Sequence, residues 1–291
     1  MDKVNIGYLN AVLEDPRPDD EKKYDFKHEN LFMGTPVQWV ETPQSQWKRY
    51  NQRNQNRSYS CVMQSSAKAL ETMNVKVNSA IVYKLRSNYP SEGMYLKNAG
   101  DILYHTGTTT EDKAPSQNMN ESQMNSATIP KTDIKVSGYR TFINHRNIDS
   151  IAEAIDAHGH CVLTFVSNGD EWDEPNCTPV YKGQPTTFGH AICAVDYTLI
   201  NGVKCLICED SSGQWSSPDG LRIITEDFLK QRATGAIYYL GVTEEIHETI
   251  VTPNATIDTI KPATWWTTFK DLLTKMGIKF KETIGAVWTK K

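Results

Sequence analysis

Two kinds of apolar repeat occur in this chain, and their order along the sequence restricts the folds that it can adopt. In CVMQSSAKALETM, which begins at Cys61, the residues Met63, Ala67 and Leu70 recur at helical spacing. A second helix is predicted in GMYLKNAGDILYHTG, residues 93 to 107. From residue 133 to about residue 242, the pattern is that of short strands. The sequence therefore predicts helices in the first half and a sheet in the second.

A polar segment separates these two parts. Residues 106 to 131 contain almost no large apolar side chain and show no periodic face, so we expect a long surface loop that joins two lobes. Beyond it, one short helix is predicted in NIDSIAEAIDAHG. The predicted strands are DIKVSGYR, HCVLTFVS, GHAICAVDYTLI, VKCLICEDS, LRIITEDFL and AIYYLGV.

Size, charge and hydropathy exclude several classes of protein. The chain has 291 residues, 38% of them hydrophobic, which is enough for one substantial core or two modest lobes. Its net charge of −4 gives no broad basic field, so we expect no nucleic-acid partner. No stretch reaches the roughly 20 apolar residues of a membrane span, and the N-terminus lacks a secretory signal pattern. We expect a soluble, intracellular protein.

The chain has six cysteines, at positions 61, 161, 177, 193, 205 and 208, and they bear on possible metal binding. Four of them lie in apolar strand-like runs, where a thiol behaves as a small hydrophobic group, so we expect reduced cysteines. Cys205 and Cys208 in CLIC resemble half of a zinc site, but no second pair completes it. The sequence therefore predicts no metal site.

The two ends differ from the middle. Residues 1 to 34 are polar, contain two prolines and look like an extension wrapped on a folded body. Residues 261 to 291 carry seven lysines and two acids, with apolar residues at helical spacing, which predicts a basic amphipathic helix or helix pair. This tail either packs on its own protein or a partner, or docks on an anionic membrane surface through Trp265, Trp266 and its lysines.

Four polar residues are candidates for chemistry. Cys61 stands where a helix begins, and the N-terminus of a helix favours the thiolate form that acts as a nucleophile. Gln55 precedes it by six residues in QNRSYSC. His190 opens the apolar strand in FGHAICAVDY, 129 residues after Cys61, and Asp210 follows the next strand in CEDSSGQW. A thiol, an imidazole and a carboxylate in this order are typical of nucleophilic catalysis.

These stretches resemble the papain-like cysteine peptidase family over about residues 35 to 245. The resemblance implies an α+β fold with a helical left lobe, a sheet-rich or barrel-like right lobe, and a site in the cleft between them. It implies that Cys61 is the nucleophile and His190 its base, and that Gln55 donates its amide to the oxyanion. Asp210 stands where the family usually has asparagine and would orient the imidazole. No cofactor is implied.

The resemblance also names residues that would contact substrate. The run SEGMYLKNAGDIL is similar to the family's glycine-containing wall, so Gly93 would pair with the substrate backbone and Met94 would line a pocket. Gly189 is the small residue before His190. Several family residues differ, because Ser58 replaces a half-cystine and Val62 and Ser212 replace tryptophans. Trp215 is the expected substitute for the missing shield over the site.

The sequence leaves three functions open. The first is an endopeptidase domain at residues 35 to 245, with its left lobe at about 35 to 131 and its right lobe at about 132 to 245. The second keeps the same triad but acts on cell-wall cross-peptides or transfers an amide. The third is a degenerate peptidase that serves as a binding or assembly module, suggested by the lost tryptophans, the missing disulfides and the additional tail at 246 to 291.

Overall fold

The fold is taken from a computed structural model that describes residues 12–18, 21, 36–142, 144–212 and 220–244. The chain divides into the compact units Met1–His247 and Glu248–Lys291, and every described residue belongs to the first. The predicted tail at 246 to 291, Trp215 and most of the predicted extension at 1 to 34 lie outside the described residues. Among the helices in the described ranges, none is both long and apolar enough to cross a membrane.

The helical lobe confirms both helices predicted from apolar spacing. Its helices are α1 Cys61–Thr72, α2 Ala80–Lys84, α3 Leu96–His105 and α4 Glu121–Ser126. Helix α1 is buried from Cys61 to Glu71, so its polar residues are enclosed together with Met63, Ala67 and Leu70. Two short strands, β1 Val12–Leu13 and β2 Met94–Tyr95, pair in parallel beside this lobe. The helical lobe is thus built around a central helix with no solvent-facing side.

The prediction of a surface loop at residues 106 to 131 is wrong. Helix α4 forms within it, and Met124 on that helix is fully buried. The polar residues that suggested a loop instead shape the backbone, because Asn120 and Gln123 form a reciprocal capping box at the start of α4. Glu111 accepts hydrogen bonds from the backbone N–H and the hydroxyl of Ser116. The polar side chains named here therefore form hydrogen bonds within the segment.

The second lobe is an antiparallel sheet in the strand order β3-β8-β4-β5-β6-β7. Its strands are β3 Ile134–Thr141, β4 Cys161–Ser167, β5 Phe188–Ile200, β6 Val203–Glu209, β7 Leu221–Thr225 and β8 Ala233–Glu244. The helices of this lobe are α5 Ile148–His158, α6 Gly169–Trp172 and α7 Glu226–Arg232. LRIITEDFL was predicted as one strand but changes to helix α7 where Thr225 caps the backbone N–H of Phe228.

Each face of the sheet belongs to a different core. One face carries Val162, Cys193 and Val195 and packs with the helices of the first lobe. The opposite face packs with α5, α7 and Trp172. Alternate residues of β5 point to the two cores, as the period of a strand requires. Strand β5 is therefore enclosed on both faces. The five free thiols at buried positions are Cys61, Cys161, Cys193, Cys205 and Cys208.

An interlobe ion cluster, formed by Arg53, Lys68, Glu71 and Glu209, ties α1 to the end of β6. The Nζ atom of Lys68 lies 2.7 Å from Glu71 and 2.8 Å from Glu209. Arg53 reaches Glu71 at 3.1 Å. Burial raises the pKa of Glu209, and the neighbouring Lys68 opposes that rise. Because removal of one member would leave a buried charge without its partner, the cluster fixes the two lobes at this point.

Replacement of Met124 by alanine tests whether the former loop segment is part of the core. We expect Met124→Ala to lower the free energy of unfolding by about 2 to 4 kcal/mol, because it leaves a cavity in the helical lobe. Urea denaturation monitored by circular dichroism measures the change. The control is Ile129→Ala in the same segment, where the side chain is 41% exposed and the expected change is within about 0.5 kcal/mol. Equal small changes would contradict the assignment.

Candidate active site

Cys61 is the first residue of α1, as the sequence predicts, and its side chain is fully buried. The preceding Ser60 does not use its side chain to cap the helix among the described residues. Its hydroxyl instead lies 2.7 Å from that of Ser58. The first backbone N–H groups of a helix have no partner within the helix. The N-terminus of α1 is therefore left to act on a negative charge at or near the Cys61 sulfur.

A hydrogen bond between the lobes sets the position of β5 against α1. Ser65 lies four residues after Cys61, so the two side chains share one face of the helix. The Ser65 hydroxyl donates to the carbonyl of Ala191 at 2.9 Å. Ala191 directly follows His190 on β5. The face of α1 that bears the thiol is therefore held beside the strand residue that bears the imidazole.

His190 and Asp210 form a buried pair. The Nε2 atom of His190 lies 2.8 Å from Oδ1 of Asp210, and both side chains are enclosed. An ionised carboxylate can only accept, so Nε2 carries a proton and Nδ1 is the ring nitrogen left to act as a base. Nδ1 has no hydrogen-bond partner of ordinary geometry among the described residues. The Cys61 thiol nevertheless lies close enough to influence the pKa of the ring.

The pKa of His190 reflects two opposed effects. Burial lowers the pKa of His190, but the charge and hydrogen bond of Asp210, together with the interaction with Cys61, raise it to about 9. The imidazolium form is therefore favoured across neutral pH. A cation beside a cysteine sulfur is the setting in which thiols act as nucleophiles. The arrangement suits a thiolate and imidazolium pair.

Asp210 is held by more partners than the histidine alone. Ser212 donates its backbone N–H and its hydroxyl to Oδ1 of Asp210, at 2.9 and 2.7 Å. The Nε atom of Arg222 donates to Oδ2 at 2.9 Å. Burial would raise the pKa of Asp210, but the charges of His190 and Arg222 hold it well below its usual range. The carboxylate therefore remains ionised even though it is buried.

The aromatic contact to the histidine comes from a residue that the sequence did not indicate. Trp172, at the end of α6, packs against His190 with ring centroids 5.5 Å apart and an interplanar angle of 88°. The predicted shield, Trp215, lies outside the described residues, so its role stays a prediction. Ser212, which the resemblance sets in place of a tryptophan, donates hydrogen bonds to Asp210.

Gln55 is buried beside the segment that follows Asp210. Its backbone N–H donates to the carbonyl of Ser211 at 2.9 Å, and the Ser211 hydroxyl donates to Oε1 of Gln55 at 2.8 Å. The side-chain amide donates to the carbonyl of Ser58 at 3.0 Å. The amide group is thus oriented by bonds from both lobes. Its predicted role in holding an oxyanion remains a prediction.

The predicted glycine wall is engaged within the protein. Gly93 adopts a φ of 77°, a conformation that favours glycine. Its N–H donates to the Tyr83 hydroxyl at 3.2 Å, and its carbonyl accepts from Asn88 at 3.1 Å. The backbone pairing next to Gly93 is therefore between β2 and β1, and β2 begins with the fully buried Met94. The predicted contacts of Gly93 and Met94 with substrate stay predictions.

Strand β1 bridges the wall and the histidine strand. Val12 pairs with Met94, and its carbonyl oxygen lies 2.9 Å from where a Cβ atom would stand on Gly189. A side chain at position 189 would collide with this backbone, so glycine permits the close approach. Gly189 directly precedes His190. Residues 12–13 therefore lie across the strip between the two lobes, where the resemblance places substrate.

Arg222 was missed from the sequence and Ser212 was noted only as a replacement, yet both carry recognisable signals. Arg222 interrupts the apolar run LRII, and a buried arginine needs an acidic partner nearby. Ser212 stands two residues after Asp210, the spacing at which an aspartate bonds to the backbone in a turn. Neither signal tells from the sequence which residue the side chain contacts in the folded protein. Trp172 has no comparable signal, because any aromatic residue can serve a core.

Solved structures with a similar fold are cysteine proteases. Xylellain, a cysteine protease from Xylella fastidiosa, is 14% identical with a TM-score of 0.58, over 80% of this chain and 96% of that one. Digestive procathepsin L2 from Tenebrio molitor is 17% identical with a TM-score of 0.62, over 82% and 80%. Bromelain from Ananas comosus, in complex with the E64 inhibitor, is 16% identical with a TM-score of 0.53, over 66% and 93%.

The chain therefore has the papain-like cysteine protease fold, which confirms the α+β, two-lobe architecture predicted from its motifs. A scan against protein-family models and a search of curated proteins both found no match. At this low identity the similarity establishes the fold, and the chemistry must be inferred from the site itself.

Deletion of residues 1 to 18 tests whether β1 covers the Cys61 thiol. We expect alkylation of Cys61 by iodoacetamide to become several-fold faster, because β1 lies next to His190 and along β2. Mass spectrometry of the peptide that contains Cys61 measures the rate. Val12→Asp should act in the same direction without shortening the chain, whereas Val203→Asp, at the exposed first residue of β6, should not. Unchanged alkylation in both N-terminal variants would contradict this position for β1.

Proposed function

We propose that this protein is a thiol-dependent peptidase that hydrolyses peptide bonds. The observation that carries the proposal is that the Cys61 thiol, at the N-terminus of a buried helix, lies close enough to raise the pKa of the His190 imidazole, whose Nε2 is held by Asp210. The papain-like fold supports the same conclusion. A buried histidine with a structural role alone would not require a thiol close enough to raise its pKa.

The first half of the reaction uses the thiolate and imidazolium pair. The Cys61 sulfur attacks the carbonyl carbon of the scissile bond, and the electron pair of the C=O moves to oxygen. The Nδ1 proton of His190 is transferred to the leaving nitrogen as the C–N bond breaks. The products of this half are a thioester on Cys61, a free amine and a neutral imidazole.

The second half restores the enzyme. His190, now neutral, accepts a proton from water at Nδ1 while the water oxygen attacks the thioester carbonyl. The C–S bond breaks, the acid product leaves, and the thiolate and imidazolium pair is formed again. In both halves the negative oxygen would be held by the backbone N–H of Cys61 and the amide of Gln55.

The direct test is a profile of peptides released from an unfolded protein. We expect wild type to cleave it and Cys61→Ala to lose about a thousand-fold or more, because the nucleophile is absent. Cys177→Ala, which removes a thiol outside the triad, is the control and should cleave like wild type. E64 should label wild-type Cys61. No cleavage of unfolded protein would overturn the proposal.

The same samples separate the alternative functions. Release of fragments from purified cell wall, without cleavage of unfolded protein, would indicate a cross-peptide hydrolase. Transfer of the acyl group to an added amine in place of water would indicate an amide transferase. A folded wild-type protein whose Cys61 takes up no E64 would indicate a binding or assembly module.

Gln55 supplies a second prediction about the reaction. Gln55→Glu keeps the shape of the side chain but replaces the donor with a carboxylate that repels an oxyanion. We expect kcat to fall by about 10²- to 10³-fold with little change in KM, since the donor acts mainly in the transition state. Steady-state kinetics on a cleaved peptide measures both. Gln46→Glu, on an exposed position, is the control. A higher KM with unchanged kcat would show that Gln55 binds substrate only.

A further inference from the structure

Arg222 makes three contacts that converge on the candidate triad. It lies on β7 directly opposite Cys208 of β6, and Asp210 follows two residues later on the same side. Its Nε donates to Oδ2 of Asp210 at 2.9 Å. Its guanidinium carbon lies 4.4 Å from the ring centroid of Trp172, and Nη1 donates to the Trp172 carbonyl at 2.8 Å. The side chain is 3% exposed.

The contacts form a closed loop around the histidine. Asp210 presents Oδ1 to His190 and Oδ2 to Arg222, so the carboxylate is held in one plane from both ends. The Trp172 ring contacts both the guanidinium of Arg222 and the ring of His190. An arginine has a planar fork that can bond and stack at once, which a lysine cannot do. Arg222 therefore touches both groups that fix the histidine.

Arg222 also balances the charge of the site. With Asp210 ionised and Arg222 protonated, their charges cancel whether Cys61 and His190 are neutral or form an ion pair. Without the arginine, the buried carboxylate would have only the His190 cation as a counter-charge, and the neutral form of the histidine would leave it unpaired. The proton on His190 must leave during each turnover of the proposed reaction, so this balance matters at that step.

We propose that Arg222 is a positioning residue of this site, which holds the Asp210 carboxylate and the Trp172 ring so that His190 can release and recover its proton. The inference rests on the proposed function, because the proton of His190 moves in that reaction. The contacts among Arg222, Asp210, Trp172 and His190 are its structural basis. The other titratable groups near the Arg222 and Asp210 pair are Cys61 on α1, Cys208 on β6 and Asp173 after α6.

The test is the pH dependence of Cys61 alkylation by iodoacetate, with each variant in the full chain. This anionic reagent is attracted by the His190 cation, so the rate falls as that cation loses its proton. In wild type the fall is expected near the pKa of about 9. In Arg222→Gln it should move up by about one pH unit, because the positive charge that opposed protonation is gone and Asp210 is unneutralised.

Two further variants separate charge from geometry. Arg222→Lys keeps the charge, so the fall should stay near its wild-type pH while the rate itself is lower, because the fork and the stacking are lost. Arg86→Gln is the matched control, since Arg86 is also buried, lies 3.8 Å over the ring of Tyr83 and pairs with Glu121. It should lower stability and leave the pH dependence unmoved.

A pair of variants keeps the test decisive if Arg222→Gln does not fold. In Asp210→Asn the alkylation rate should decrease at a lower pH than in wild type, because the negative charge that raised the pKa of His190 is removed. In Asp210→Asn with Arg222→Gln, where no buried charge lacks a partner, the rate should decrease at a higher pH than in Asp210→Asn alone. An unmoved pH dependence on loss of Arg222 in either background would overturn the inference.

This readout does not depend on peptide cleavage. If alkylation shifts as expected while unfolded protein stays intact, the role of Arg222 stands and the proposed peptidase function fails. If unfolded protein is cleaved but the pH dependence does not move in any arginine variant, the function stands and the positioning role fails.

Discussion

The contact between α1 and β5 is the constraint on which the arrangement of the site depends. Cys61 and Ser65 share one face of α1, and the hydroxyl of Ser65 reaches the backbone beside His190. One lobe supplies the Cys61 thiol and the other the His190 imidazole, so neither lobe alone contains the candidate site. The interlobe ion cluster joins the same helix to the end of β6, one residue before Asp210. Helix α1 thus aligns both strands that carry the remaining polar groups.

Burial explains why so many of the important residues interact through charge. A carboxylate that is fully enclosed costs free energy unless it is paired and hydrogen-bonded. Asp210 meets this requirement through His190, Arg222 and Ser212, and Glu209 meets it through Lys68. Adjacent residues of one strand end therefore serve different purposes, one at the candidate triad and the other at the lobe interface.

The sequence was sufficient for elements defined by periodicity and for motifs with local spacing. Helix α1, the strand that carries His190 and the placement of Asp210 beside it were all expected from such patterns. The prediction for residues 106 to 131 failed because a polar segment has the composition of a loop. In the structure, the polar side chains of Asn120 and Gln123 instead cap a helix. The sequence did not indicate Arg222 and Trp172 because their importance arises from register across strands and from packing, neither of which is local in sequence.

The pairing of β1 with β2 has a consequence for competition between ligands. Because β1 belongs to the same chain, it meets β2 at an effective concentration on the order of millimolar. It offers only two residues of backbone pairing, so the energy that it gains from each encounter is small. Molecules that bind the groove weakly would lose to this tethered rival, whereas those with extended complementary contacts would displace it. Under the proposed peptidase function, this pairing would set the minimum affinity that a ligand needs in order to enter.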